Sequence, residues 1–224
     1  MLLAGLTGGI ASGKSTVSAR LVEHGAELVD ADAIARHLLL PGTPTWQRVR
    51  QHFGDDILTA DGAIDRPALG RIVFASPQRR TLLNELTHPP VMAEIADRLE
   101  ALQAFDGVVV LDVPLLVEAN ADRSYEAVVV VATQPETQLR RLVDLRGMAP
   151  DDARARMAAQ APLGDKLAIA THVLWNDGTL DDLLAATDDV AADLLRRARD
   201  KHADTDTDAD ADNGDGSARP PILG

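Results

Sequence analysis

The chain predicts a three-layer α/β domain, with helices packed on both faces of a five-stranded parallel sheet. Three observations carry this. Short apolar runs rich in β-branched residues recur along the sequence, as strands buried on both faces require. Longer segments with apolar residues at helical spacing separate them, the alternation that right-handed strand–helix–strand crossovers produce. And 224 residues with 46% hydrophobic content suffice for one sizeable core.

The elements follow in order. "LLAGL" predicts a buried first strand, then a glycine-rich turn and a helix that carries Val17 and Leu21 inward until Gly25 ends it. "AELVD" predicts the second strand. A long stretch without strands comes next: "ADAIARHLLL", then "TWQRVRQHFG" with Trp46, Val49 and Phe53 on one face, then "DRPALGRIVF". Ser76 and Pro77 open a further helix over "SPQRRTLLNEL", and "VMAEIADRLEAL" is expected as a separate one after Pro89 and Pro90. "GVVVLDVP" and "AVVVVA" predict the third and fourth strands, both central. Two helices, "TQPETQLRRLVDLRG" and "APDDARARMAAQ", lead to a fifth strand in "THVLWN". The closing helix, "TLDDLLAATDDVAADLLRRA", sets Leu180, Leu183, Leu184, Leu194 and Leu195 at helical spacing.

Composition excludes several classes. There is no cysteine, hence no disulfide framework, thiolate metal site or nucleophilic thiol. The start of the chain lacks the pattern of a secretory signal, and the longest apolar run, Val108–Val117, is broken by Asp112 and Pro114. A cytoplasmic protein without a membrane partner is expected. The net charge of −13 argues against broad nucleic-acid binding, which needs a cationic face. Residues 203–224 hold six aspartates against one arginine, so −5 of that charge lies in the tail. With almost no apolar content, that segment is expected to be a disordered, solubilising tail on a single domain over 1–202. Its aspartates lack the spacing and terminal glutamate of a calcium loop.

The chemistry concentrates at the end of the first strand. Gly8, Gly13, Lys14 and Ser15 in "GGIASGKST" satisfy GxxxxGK[ST] between a buried strand and a helix. Such a loop turns its backbone N–H groups around nucleotide phosphates, and the helix N-terminus adds partial positive charge. Lys14 reaches the β- and γ-phosphates in this arrangement, and the Ser15 hydroxyl is the expected Mg²⁺ contact. Only three lysines occur, Lys14, Lys166 and Lys201, and none lies in an NKxD-type guanine-reading element. That removes the GTPase reading. An ATPase motor fits poorly too, since the extra length goes into a helical region after strand two. That placement suits an acceptor-binding lobe.

"VDADAIAR", Val29–Arg36, stands at the carboxyl end of the second strand, where open α/β sheets bind ligands. Asp30 or Asp32 there is placed to accept a proton from an attacking hydroxyl or to hold the metal's water shell. The competing role for either is to cap the following helix.

Taken together, the motifs carry a resemblance. "LTGGIASGKST", "VDADAIAR", Pro41–Gly42, "THP" at Thr87–Pro89, "VPLLVE" at Val113–Glu118, "PETQLRR" at Pro135–Arg141, "AAQ" at Ala158–Gln160 and "WNDGTLDDL" from Trp175 occur in order over 1 to about 200. The pattern resembles the dephospho-CoA kinases. The resemblance implies ATP-dependent phosphorylation of the ribose 3′-hydroxyl of dephospho-CoA, giving coenzyme A and ADP, the final step of coenzyme A synthesis. It implies a P-loop nucleotide-kinase-like core (1–31, 106–138 and 168–200), a helical acceptor-binding region over about 32–105 and a helical lid over about 139–167. A monomer with two small-molecule substrates is expected.

Carried over by position, the resemblance makes Asp32 the general base. Lys14 and Arg140 join it in catalysis, Arg140 as the lid arginine that approaches the transferring phosphoryl group. Gly9, Ala11, Ser12, Gly13, Lys14, Ser15, Thr16 and Asn176 bind ATP, with Ser15 on the metal. Thr7, Asp32, Arg36, His88, Pro114, Leu115 and Leu116 bind the acceptor. Several have blander readings. Arg140 and Arg141 would also suit an exposed helix face paired with Asp144, His88 a hydrogen-bonded helix break, Pro114–Leu116 ordinary packing and Asn176 an Asx turn before Gly178. Arg146 is a second lid candidate, and Asp112, at a strand end, resembles a Walker B aspartate. Two departures stand out: "LRGM" lacks an acidic residue after the arginine, and Trp175 precedes the asparagine where an aspartate is usual. An acceptor other than dephospho-CoA and a nucleotide-sensing module without turnover are the alternatives. The second leaves Lys14, Ser15, Asp32 and Arg140 without a chemical purpose.

Overall fold

Strands β1 (Leu2–Gly8), β2 (Glu27–Asp30), β3 (Val108–Asp112), β4 (Ala127–Ala132) and β5 (His172–Trp175) form one sheet in the order β2-β3-β1-β4-β5. All four pairings are parallel. The structure, a computed structural model, describes residues 1–113 and 125–212, with side chains through 203. Pro114, Leu115 and Leu116 lie outside the described residues.

β3 and β4 are buried at every position, which is why their runs of valine show no alternation. Their side chains divide between two helical layers. Leu2, Ala4, Leu6, Val108, Val110, Val129 and Val131 pack with Val17 and Leu21 of α1 (Lys14–Glu23) and Leu183, Ala191 and Leu194 of α9 (Leu180–Asp212). On the other face, Val109 and Leu111 meet Ile34 of α2 (Ala31–Leu38) and Ile95 of α5 (Pro77–Ala101). Each buried valine or leucine contributes about 1.5–3 kcal/mol relative to exposure.

Between β2 and β3 the chain is helical: α2, α3 (Pro44–Phe53), a 3₁₀ turn at Asp55–Ile57, α4 (Arg66–Ala75) and α5. Thr43, Asp65 and Ser76 cap α3, α4 and α5, each with a proline in the first helical positions. This region has its own small core of Val49, Ile57 and Leu69, with Phe53, Leu83 and Leu86 against it. An isolated antiparallel bridge, Leu58 with Ile64, closes the turn between α3 and α4.

Four expectations need correction. First, α5 runs unbroken through Pro89 and Pro90. The prolines leave two carbonyls without amide partners, but packing of α5 against α2, α3 and α4 holds the axis, and the Thr87 hydroxyl donates to Leu83 O at 2.8 Å. Second, α9 reaches Asp212, so 203–212 continue a helix rather than beginning an unstructured tail. Low apolar content forbids a core, whereas extending an already nucleated helix needs none. Third, α8 (Leu163–Ala168), expected in the lid, packs Leu167 beneath Val128 and Val130 and so covers the sheet. Fourth, α6 (Pro135–Arg140) passes into a π turn at Arg141–Leu145 before α7 (Pro150–Ala158), where a uniform helix was expected. Among the described residues no helix is long and apolar enough to cross a membrane.

Candidate active site

The loop from Gly9 to Gly13 leaves β1 at the carboxyl edge of the sheet and turns directly into α1. Gly13 has φ +96°, and a Cβ there would lie 2.2 Å from the Asn176 amide nitrogen, so only glycine fits. Ala11 is also left-handed, at φ 59°, a strain of about 1–2 kcal/mol for a residue with a Cβ. The loop's carbonyls point outward and are satisfied. Gly9 O accepts from Ser12 N at 3.0 Å. Ile10 O accepts from Gln138 Nε2 at 3.0 Å, Ala11 O from Arg141 Nη1 at 3.3 Å and Ser12 O from Asn176 Nδ2 at 2.7 Å.

The opposite polarity is left open. Among the described residues the N–H groups of Ala11 and Gly13 have no partner, and those of Lys14 and Ser15 begin a helix, where none is available within it. These residues line a cavity of about 550 Å³. Loop residues 8–16 form its floor, and Asp32, Arg141, Leu145, Arg146, Gln160 and Asn176 complete the wall. Free backbone donors, a helix N-terminus and a lysine around one cavity suit a polyphosphate.

Acidic groups stand beside this cradle. Asp112 and Asp30 are register partners on β3 and β2, so their side chains end at one place on the sheet edge. Lys14 Nζ forms an ion pair with Asp112 Oδ1. Asp112 is only 5% exposed, and that burial pushes its carboxyl pKa up; Lys14 opposes the shift, while the charges of Asp30 and Asp32 add to it. Asp30 caps α2, accepting from Ala33 N at 2.8 Å, and lies 3.4 Å from Arg36 Nη2. Asp32 sits in the first turn of α2, exposed on the cavity wall, and its carboxylate has no hydrogen bond or ion pair with the described residues. Of the two aspartates in "VDADAIAR", one is spent on capping and the other faces the cradle.

The sequence profile described as dephospho-CoA kinase matches residues 2–182. The chain belongs to the dephospho-CoA kinase family. A dephospho-CoA kinase of Streptomyces avermitilis is 54% identical over 198 residues, covering 88% of this chain and 96% of the relative. One from Leifsonia xyli is 45% identical over 196 residues, 87% of this chain and 99% of its own. Among solved structures, a Thermus thermophilus protein superposes with a TM-score of 0.73 at 34% identity, covering 86% and 97% of the two chains. The dephospho-CoA kinase of Campylobacter jejuni gives 0.66 at 25%, covering 87% and 97%.

Against the positions that dephospho-CoA kinase membership points to, the cavity gathers Gly9, Ala11, Ser12, Gly13, Lys14, Ser15, Thr16, Asp32 and Asn176. It does not gather Arg140. That residue is exposed at the end of α6, and Arg141 and Arg146 line the cavity in its place. Neighbouring helical residues diverge by about 100°, so buried Leu142 and the turn geometry select Arg141. Arg141 Nη2 donates to Asn176 O at 2.9 Å and to Asn176 Oδ1 at 3.2 Å. Thr7 is buried in β1, Arg36 stays with Asp30, and His88 is exposed on α5; none of the three lines the cavity. Asn176, expected on the base of ATP or in an Asx turn, stands on the cavity wall and also braces the loop through its amide. Gln138 and Gln160 stand within "PETQLRR" and "AAQ", where a glutamine's spacing carries no chemical signature until its partner is seen.

Proposed function

We propose that this kinase transfers the γ-phosphoryl group of ATP to the ribose 3′-hydroxyl of dephospho-CoA, yielding coenzyme A and ADP, with Asp32 as the base. The observation that carries the reading is Asp32: an unengaged carboxylate on the same cavity wall as the free loop donors. Phosphoryl transfer leaves the protein chiefly positioning and charge stabilisation to do. The open N–H groups and Lys14 hold the phosphates, Arg141 and Arg146 face the charge that spreads over the transferring group, and Asp32 accepts the hydroxyl proton as the new P–O bond forms. For Lys14 to reach the phosphates it must loosen from Asp112, so the nucleotide replaces one anionic partner with another.

The oxygen donors present, Ser15 hydroxyl and the Asp112 carboxylate, suit Mg²⁺. Mg²⁺ is commonly held by one or two protein oxygens together with substrate phosphates. Ser15 would ligate it, with Asp112 behind, and the cation would neutralise charge on the β- and γ-phosphates. The cysteine-free, acidic composition supports a cytoplasmic enzyme, and we take it as a monomer.

The test measures ADP formation with dephospho-CoA, AMP, adenosine or no acceptor, and the product's mass. Turnover with dephospho-CoA alone and a gain of one phosphoryl group is expected; preference for another acceptor would overturn the substrate. Asp32→Asn should lower kcat by about 10²–10⁴-fold with little change in KM for ATP. Unchanged turnover would remove Asp32 from the chemistry.

A further inference from the structure

Two glutamines hold one residue of the phosphate loop from both sides. Gln138, on α6, donates from Nε2 to Ile10 O at 3.0 Å, and Gln160, just beyond α7, accepts at Oε1 from Ile10 N–H at 2.7 Å. The two bracket the stretch that carries Arg141 and Arg146. One peptide residue is therefore the anchor for both ends of the arginine-bearing segment.

We propose that Gln138 and Gln160 are positioning residues that aim the phosphate loop and fix the arginine segment against it. In a trans peptide the carbonyl and the following N–H point in opposite directions, and no cis bond occurs among the described residues. Pinning Ile10 O on the outside thus turns the Ala11 N–H toward the cavity, where it is free. Pinning Ile10 N–H to Gln160 fixes the preceding peptide plane. Between these two constraints and Arg141 on Ala11 O, Ala11 is held in its left-handed conformation, which persists only where its surroundings over-determine it. The same contact accounts for Gly9, which the GxxxxGK[ST] motif does not demand: a Cβ there would lie 2.1 Å from Gln138 Nε2. The inference rests on the kinase reading only in taking the loop's ligand to be a nucleotide phosphate.

The chemistry of the pair is asymmetric, which makes it testable. Position 138 must donate and position 160 must accept. In the full chain, Gln138→Met and Gln160→Met should each weaken ADP affinity and raise KM for ATP by about 3- to 10-fold, with KM for dephospho-CoA unchanged. The double variant should fall short of the product of the two, because both act on Ile10. Gln138→Glu and Gln160→Glu add the same charge, but only the first loses its bond, so Gln138→Glu should be the weaker ADP binder. Unaltered ADP affinity in both Met variants, or a lowered melting temperature as their sole effect, overturns the proposal, as does equal binding by the two Glu variants. ADP binding is read without an acceptor, so the result stands even if the wild type phosphorylates something other than dephospho-CoA.

Discussion

Asp112 is a buried carboxylate beside the phosphate loop whose position costs stability. Burial raises its carboxyl pKa above the unfolded value despite Lys14. A group shifted this way favours the fold below its unfolded pKa and loses that advantage as pH rises through the raised value, so at neutral pH its ionised form is a net penalty. Asp112→Asn should therefore raise the melting temperature of the nucleotide-free protein at pH 7, at about 2–4 °C for each kcal/mol of burial cost removed, while turnover falls. Scanning fluorimetry decides it, and a lower melting point would mean that the Lys14 pair is a net stabiliser. At this scale the sequence was readable where spacing alone fixes placement, as for Lys14 and Ser15, which stand on the cavity floor. It was ambiguous for Asp30 and Asp32, which share a residue type and differ only in which one the helix start consumes.

The π turn at Arg141–Leu145 is an element whose effect is rotational. Hydrogen bonds of the i→i+5 kind bring residues five apart toward one face, and Arg141 and Arg146 are five apart on the cavity wall. Arg141→Ala should cost about 10³-fold in kcat, as loss of a transition-state arginine does, whereas Arg140→Ala should leave kcat near wild type. The reverse order in steady-state kinetics would return the role to Arg140. A single sequence offers three arginines here and no way to choose, because a one-residue widening leaves helical periodicity almost intact. The same limit applied to α5, where two prolines read as a break and packing on three helices kept the axis, and to α8, too short for its period to register. Longer periodic stretches, such as α1 and the packed part of α9, were legible throughout.

Across the whole molecule, the phosphate-loop helix is tied to the last helix. Arg20 donates to Asp188 from Nε at 2.6 Å and from Nη2 at 2.8 Å, and His24 Nε2 lies 2.7 Å from the same carboxylate. Hydrogen bonds from Arg20 and then His24 hold the Asp188 pKa far below the carboxylate range. A pKa lowered by folding contributes stability above the unfolded value, about 3.9, and that contribution drains away as pH falls below it. Asp188→Asn should thus lower the melting temperature at pH 7 and flatten its decline between about pH 4 and 2. Parallel melting profiles for the two proteins would exclude Asp188 from acid sensitivity. The sheet itself was the most legible feature of all, since parallel strands buried on both faces announce themselves by unbroken valine runs. The tail was less so, because composition speaks to burial and not to whether a helix already under way continues.

The helical region's private core of Val49, Ile57 and Leu69 shares no residue with the clusters that hold the sheet. Substitutions within that small core and within the sheet clusters should consequently combine nearly additively in stability. The chain thus holds two separately packed interiors, one beneath the phosphate loop and one between α3, α4 and α5, and either can be repacked while the other keeps its shape.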